Sequence, residues 1–338
     1  MLPLHKQIAR KLVFPAMLGL GAERWFFRAS SLGYLILCYH GVYHRSSMPF
    51  NGRHIRTSVF EKHLRYFRRH FDILSLDDVF VRVEEGRFAQ RPTLALSFDD
   101  GYRNNLTYAL PLLARYEVPA TLFAITGILD GTQSRIWTDT LDMIRVKLAG
   151  QSLQWEDQIF ADKGGQLYNE AGQSIYDYFQ TYACGERDNR LARLAKQQQL
   201  QAWVMDQQID FHRLLSPEEL RQIDGSPWVS VQAHTYRHHD LAFREAAEIR
   251  LELLQGKSAL ENLLQHPVET LAFPFGRYDQ RTKAIAREVG YRQLLALRYQ
   301  HEEDRNEQDL LPRLNVSGTT TFDSQIVHLR RKWRQLGI

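Results

Sequence analysis

The 338-residue sequence has little cysteine: two residues, Cys38 and Cys184, far apart in the chain. That excludes a disulfide framework, and Cys38, inside the apolar run Tyr34–Tyr39, reads as a buried free thiol. No stretch reaches the roughly 18 apolar residues of a membrane-spanning helix. Zinc-finger spacing, an RNA-binding aromatic motif and a long basic tail are all missing, so the modest net charge of +4 does not mark a nucleic-acid binder. Internal repeats are missing too. A clean export signal is also lacking: Pro15 interrupts the apolar stretch Leu12–Leu20, and no small-residue cleavage site precedes Glu23 and Arg24. Residues 1–30 are therefore expected to form an amphipathic segment of a cytoplasmic protein, resting peripherally on a membrane surface.

What is present is an alternation of two periodicities. Short apolar runs at Tyr34–Tyr39, Leu94–Phe98, Ala120–Ile125, Trp228–Ala233, Leu271–Phe273 and Gln293–Leu297 read as strands. Helical spacing separates them at Ser58–His70, Asn104–Tyr116, Arg244–Leu264 and Arg281–Val289. The pattern predicts an α/β fold with a parallel sheet or barrel over residues 31–338. Between about 136 and 225 the rhythm breaks, and this stretch reads as a mainly helical insertion with a helical tract from Asn189 to Asp206. Its aromatic residues, Trp137, Tyr168, Tyr176, Tyr178 and Tyr182, are expected to pack its core rather than to stack on a ligand. The basic amphipathic stretch Ile326–Leu336 predicts a solvated terminal helix.

Two motifs carry chemistry. Ser97-Phe98-Asp99-Asp100-Gly101 places adjacent carboxylates at the end of an apolar strand, where α/β folds keep their active sites. Two like charges there call for a cation or a proton between them: a metal ion, a general base, or both. His234-Thr235-Tyr236-Arg237-His238 follows another apolar run, and its histidines, four residues apart on a helical turn, would point the same way. His239 is an alternative to His238, which the i+4 spacing favours. Two histidines and one carboxylate form a facial set with coordination sites left open for water and substrate.

Together these motifs resemble the polysaccharide deacetylase superfamily, carbohydrate esterase family 4. Val118-Pro119-Ala120-Thr121-Leu122-Phe123, Phe273-Pro274-Phe275-Gly276 and Leu311-Pro312-Arg313 add to the likeness. The resemblance implies a distorted (β/α) barrel with Asp99 as general base. It further implies Asp100, His234 and His238 as ligands of a divalent metal, most often Zn2+. The late Leu-x-His motif that supplies the acid in much of the family has no counterpart. Leu37-Cys38-Tyr39-His40-Gly41-Val42 instead resembles the early Tyr-His strand end of the biofilm-type poly-N-acetylglucosamine deacetylases, which implies His40 as the acid. The Arg that usually opens the third motif is replaced by Ala272 or Phe273, and Arg313 is the substitute for orienting Asp99. Phe275 falls where the family donates a backbone N–H to the oxyanion, and the Trp-containing fourth motif is unrecognisable around Leu294–Tyr299.

The expected activity is metal-dependent removal of N-acetyl groups from an N-acetylhexosamine-containing glycan, as in exopolysaccharide or cell-surface glycan modification. Two alternatives stand beside it: a deacetylase or deformylase of a small or lipid-linked sugar, and an inactive glycan-binding protein. The oligomeric state is not encoded in any of these features.

Overall fold

The computed structural model describes residues 33–44, 51–87, 91–131, 135–200 and 211–336. The expected segment at residues 1–30 lies outside the described residues, as does the end of the helical tract beyond 200. Eight parallel strands form a nearly closed barrel: β1 (Tyr34–Tyr39), β2 (Thr93–Phe98), β3 (Ala120–Ala124), β4 (Val229–Ala233), β5 (Thr270–Ala272), β6 (Gln293–Ala296), β7 (Leu310–Pro312) and β8 (Leu314–Asn315). From β1 to β7 they follow one another in chain order, β8 lies against the free side of β1, and Asp72–Ile73 adds a short strand beside β2.

The strands are buried on both faces, so each reads as an unbroken apolar run. Alternation still sorts their side chains. Tyr34 and Ile36 of β1, Ala95 of β2, Phe123, Ala272, Leu295 and Leu311 make one cluster, the barrel interior. Leu76, Val79 and Phe80 join it from the helix Leu76–Glu85, which Ser75 caps at its start and left-handed Gly86 at its end. Leu35, Leu37, Leu94, Leu96 and Phe98 face the other way, into the larger core shared with the surrounding helices. Prominent among those are Thr57–His70, Leu110–Tyr116, Ala246–Leu264, Gln280–Glu288 and the terminal Phe322–Leu336.

The barrel closes through one residue. β7 pairs with β6 from Leu294↔Leu310 to Ala296↔Pro312, whereas β8 pairs with β1 at Leu37↔Leu314 and Cys38↔Asn315. Arg313, between them, occupies the seam.

Among its described residues, the region from 136 to 225 is helical as expected, with a small sheet added. It holds the helices Trp137–Lys147, Ile175–Gln180, Cys184–Gln197 and Pro217–Asp224, but also an antiparallel meander of Leu153–Trp155, Gln158–Asp162 and Leu167–Tyr168. Alternation explains the strands: Leu153, Trp155, Phe160 and Leu167 are buried while Gln154 and Ile159 are exposed. The turns use positive-φ residues, Glu156 in the first and Gly164 and Gly165 in the second. Trp137, Leu141, Ile144, Trp155, Phe160, Phe179 and Leu194 form a separate core, with Tyr176, Tyr178 and Tyr182 packed against it.

Candidate active site

His40, Asp99, Asp100, His234 and Phe275 all follow the carboxyl ends of parallel strands, so topology alone gathers them at one rim. Alternation then decides which way each points. Cys38, Ser97 and Asp99 continue the inward column above Ile36 and Ala95, whereas Asp100 leaves the strand with φ 77°. Adjacent carboxylates thus serve different neighbours.

Asp100 meets the histidines. Its Oδ1 lies 3.5 Å from His234 Nε2 and 3.3 Å from His238 Nε2, and it is buried with no hydrogen-bond partner. His234 Nδ1 donates to the Ala272 carbonyl at 2.7 Å, which fixes the tautomer and leaves the Nε2 lone pair facing Asp100. Donors around a tetrahedral ion, with bonds of about 2.0–2.2 Å, stand about 3.3–3.6 Å apart. The two separations suit such an ion, so the nitrogen and oxygen donors present fit a divalent cation. Burial would raise the Asp100 pKa, but the imidazoles of His234, His238 and His40 pull it well below the ordinary carboxylate range. Burial lowers His238 to about 3, while at His234 Asp99 and Asp100 outweigh burial and raise the pKa.

The histidines do not converge through a helical turn. Residues 234–238 form an irregular loop in which Thr235 and His238 have φ of 68° and 58°. Those two left-handed residues replace helical periodicity in bringing both rings to one point, a strained backbone of the kind found at functional sites. Glu252, from the helix Ala246–Leu264, holds the loop from behind: its Oε2 accepts from Arg237 N at 2.9 Å and its Oε1 lies 3.0 Å from His239 Nδ1. His239 therefore faces Glu252. Gly256 permits this close approach, since a Cβ there would stand 3.1 Å from the Thr235 backbone.

Asp99 meets a guanidinium. Arg313 donates from Nη1 to Oδ1 at 2.6 Å and from Nη2 to Oδ2 at 2.7 Å, a bidentate fork made from the seam of the barrel. Arg313 Nη1 also donates to Ser97 Oγ at 3.1 Å, and the Cys38 thiol donates to Asp99 Oδ2 at 3.2 Å. Burial would raise the Asp99 pKa, but Arg313 outweighs it and the group sits at about 2. Asp99 Oδ2 is 3.9 Å from His234 Nε2. A ring nitrogen of His40 lies within 4.8 Å of both the Asp99 carboxylate and the Cys38 sulfur. Burial lowers the His40 pKa, partly countered by Asp100 and Asp99.

Several supporting residues escape sequence reasoning. Asn105 Nδ2 donates to the His40 carbonyl at 2.8 Å, and Asn104 Oδ1 accepts from Val42 N at 3.2 Å. These asparagines clamp His40-Gly41-Val42 onto the turn that follows the carboxylates. There the chain makes a π-helical turn, Asn105–Ala109, where an α-helix was expected from Asn104. Gly41 is required by the fit, because a Cβ would stand 2.3 Å from the His54 ring. Trp137 Nε1 donates to the His238 carbonyl at 3.2 Å, tying the separate aromatic core to the histidine loop. Phe275, with φ 58°, sets its ring 4.8 Å from that of His238, and the hydrogen bonds of its turn use the N–H groups of Gly276 and Arg277, not its own. Inward alternation of Cys38 and Asp99 was readable from the sequence; the long-range asparagine contacts had no local signal.

A barrel with a carboxylate pair and two histidines at its rim defines a class of hydrolases. The family model for polysaccharide deacetylase matches residues 87–152 and 172–294, more than half of the chain, and the protein belongs to that family and is a deacetylase. The unmatched stretch between the two segments contains the whole antiparallel meander. A search of curated proteins finds no match. Among solved structures, the deacetylase PplD of Streptococcus pyogenes aligns at 16% identity and a TM-score of 0.56, covering 88% of this chain and 98% of its own. IcaB from Ammonifex degensii aligns at 17% and 0.54, covering 89% and 98%. A de-N-acetylase from Aggregatibacter actinomycetemcomitans aligns at 14% and 0.54, covering 87% and 98%. At these identities the likeness establishes the shared fold.

Proposed function

We propose that the protein removes N-acetyl groups from an N-acetylhexosamine-containing polysaccharide, with a divalent cation, most often zinc in this family, held by Asp100, His234 and His238. The observation that carries the reading is the split carboxylate pair: Asp100 turned to two imidazoles with an unpartnered oxygen, Asp99 turned away onto Arg313. When bound, the cation supplies a Lewis acid that polarises the amide carbonyl and makes water more acidic.

Asp99 accepts the proton of the attacking water. It stays ionised across the working pH range because Arg313 holds it so, and the fork fixes its plane. His40, its carbonyl held by Asn105 and its ring close to the Asp99 carboxylate, gives a proton to the leaving amine. The Phe275 N–H donates to the oxygen that becomes anionic in the tetrahedral intermediate. Arg313 and Cys38 orient the base and do not touch substrate.

Acetate release from N-acetylglucosamine oligomers, with and without chelator, tests the proposal. Activity that chelation abolishes and zinc restores is expected. No release from any oligomer, with formate released from an N-formyl sugar instead, would replace the substrate assignment.

A further inference from the structure

From the histidine loop a line of side chains runs outward to solvent. The His238 and Phe275 rings are 4.8 Å apart, and the Arg277 guanidinium lies 6.0 Å from the Phe275 ring and 6.0 Å from that of Phe243. Phe243 is 65% exposed, the highest value among the exposed large hydrophobic residues described. Nothing in the fold requires an aromatic ring there, because Leu241, two residues earlier, supplies the buried anchor of this short 3-10 turn.

The arrangement is nevertheless fixed. Asp240 Oδ2 accepts from Arg277 Nη1 at 2.9 Å and from Gln180 Nε2 at 2.7 Å, locking the guanidinium between the two rings. Arg244, next to Phe243, donates to the carbonyls of Tyr182 at 2.9 Å and Gln180 at 3.1 Å. Residues on both sides of the exposed ring are thus tied to the insertion, and Phe243 is presented outward from a clamped backbone. Isolated exposed phenylalanines are ordinary; one presented beside a catalytic rim by a clamped guanidinium has the features of a ligand platform.

We infer that Phe243 and Arg277 form a glycan subsite for a neutral sugar unit elsewhere along the chain being deacetylated, the sugar face stacking on Phe243 and its hydroxyls accepting from Arg277. Asp240 neutralises Arg277, so the subsite suits an uncharged hydroxyl-rich ring better than a carboxylate or phosphate. Apolar contact and directed N–H donors are what a hexopyranose, with its apolar C–H face and equatorial hydroxyls, can use together. The inference deepens the proposed reading and rests on it: a protein that used such a platform would act on chains and not on single sugars.

The test is calorimetric titration of the zinc-loaded protein and of F243A with N-acetylglucosamine hexamer and with the monosaccharide. A stacked aromatic contributes about 0.5–1.5 kcal/mol beyond area burial, so F243A is expected to weaken hexamer binding about twofold to thirteenfold, with F243W restoring it. Circular dichroism of F243A checks that the fold is retained. Hexamer affinity equal in F243A and wild type, or no detectable hexamer binding by wild type, overturns the subsite. Acetate release reports separately on the chemistry, so a protein that binds the hexamer through Phe243 without deacetylating it would sink the proposed activity and leave the subsite standing.

Discussion

Two buried ionic clusters in this barrel differ in one respect: whether every polar atom is used. Near the surface loop 300–309, Lys283 Nζ donates to Asp304 Oδ1 at 2.5 Å and to Glu307 Oε1 at 2.8 Å. The second Asp304 oxygen accepts from Tyr278 Oη, from Gln300 N at 3.1 Å and from His301 N at 2.9 Å. At the rim, Asp100 is equally buried, yet its Oδ1, 3.3 and 3.5 Å from two imidazole nitrogens, makes no hydrogen bond. A saturated cluster pins a fold, whereas an unsaturated one in an otherwise well-packed core leaves capacity for something that is not protein.

Asp99 belongs to the first kind by geometry and to the second by position: both oxygens are donated to, and the group faces the unsaturated triad. The largest expected effect follows from that. D99N should keep its metal, measured by atomic absorption, while acetate release falls about 10³-fold, in the range general-base removal costs. Retained turnover would move the base elsewhere.

The next effect separates the two clusters by stability. K283M strands the buried Asp304 carboxylate and should cost about 3–5 kcal/mol in urea denaturation. D100N, measured in chelator, should cost less than K283M, because the oxygen makes no hydrogen bond and only its attraction to the imidazoles is forfeited. Zinc should then stabilise wild type and not D100N. Equal costs for the two substitutions would erase the distinction.

Smaller is the effect of N105A. Removing the 2.8 Å bond to the His40 carbonyl should lower kcat about fivefold, with metal content unchanged and the alkaline limb of the pH profile displaced. A change in KM alone would make Asn105 merely structural. The smallest effect concerns pH. Burial opposes ionisation of Asp304, but Lys283 and Tyr278 prevail and lower its pKa. Its stabilisation is therefore present above the ordinary carboxylate pKa of about 3.9 and lost as pH falls through the depressed folded value. The stability gap between wild type and D304N should accordingly narrow as acid is added below pH 4.

Much of this architecture was legible because parallel strands buried on both faces are continuous apolar runs, and because Asp99, Asp100 and His234 sit directly at their ends. Leu310–Pro312 and Leu314–Asn315 are too short to show such a pattern, so the seam that delivers Arg313 was invisible as structure even though the residue stood out. The meander was hidden by its brevity and its mixture of glutamine and leucine. The helical turn expected for His234–His238 failed for a specific reason: Thr235 and His238 adopt positive φ, which neither residue type advertises and which Glu252, fourteen or more positions away, helps to hold.

Metal stoichiometry of purified, zinc-reconstituted protein, measured beside D100A, H238A and D99N after exhaustive dialysis, tests the division of labour between the neighbouring aspartates. About one zinc per chain in wild type and D99N, and almost none in D100A and H238A, is the expected result. Full occupancy in D100A, or loss in D99N comparable with that in D100A, would contradict it.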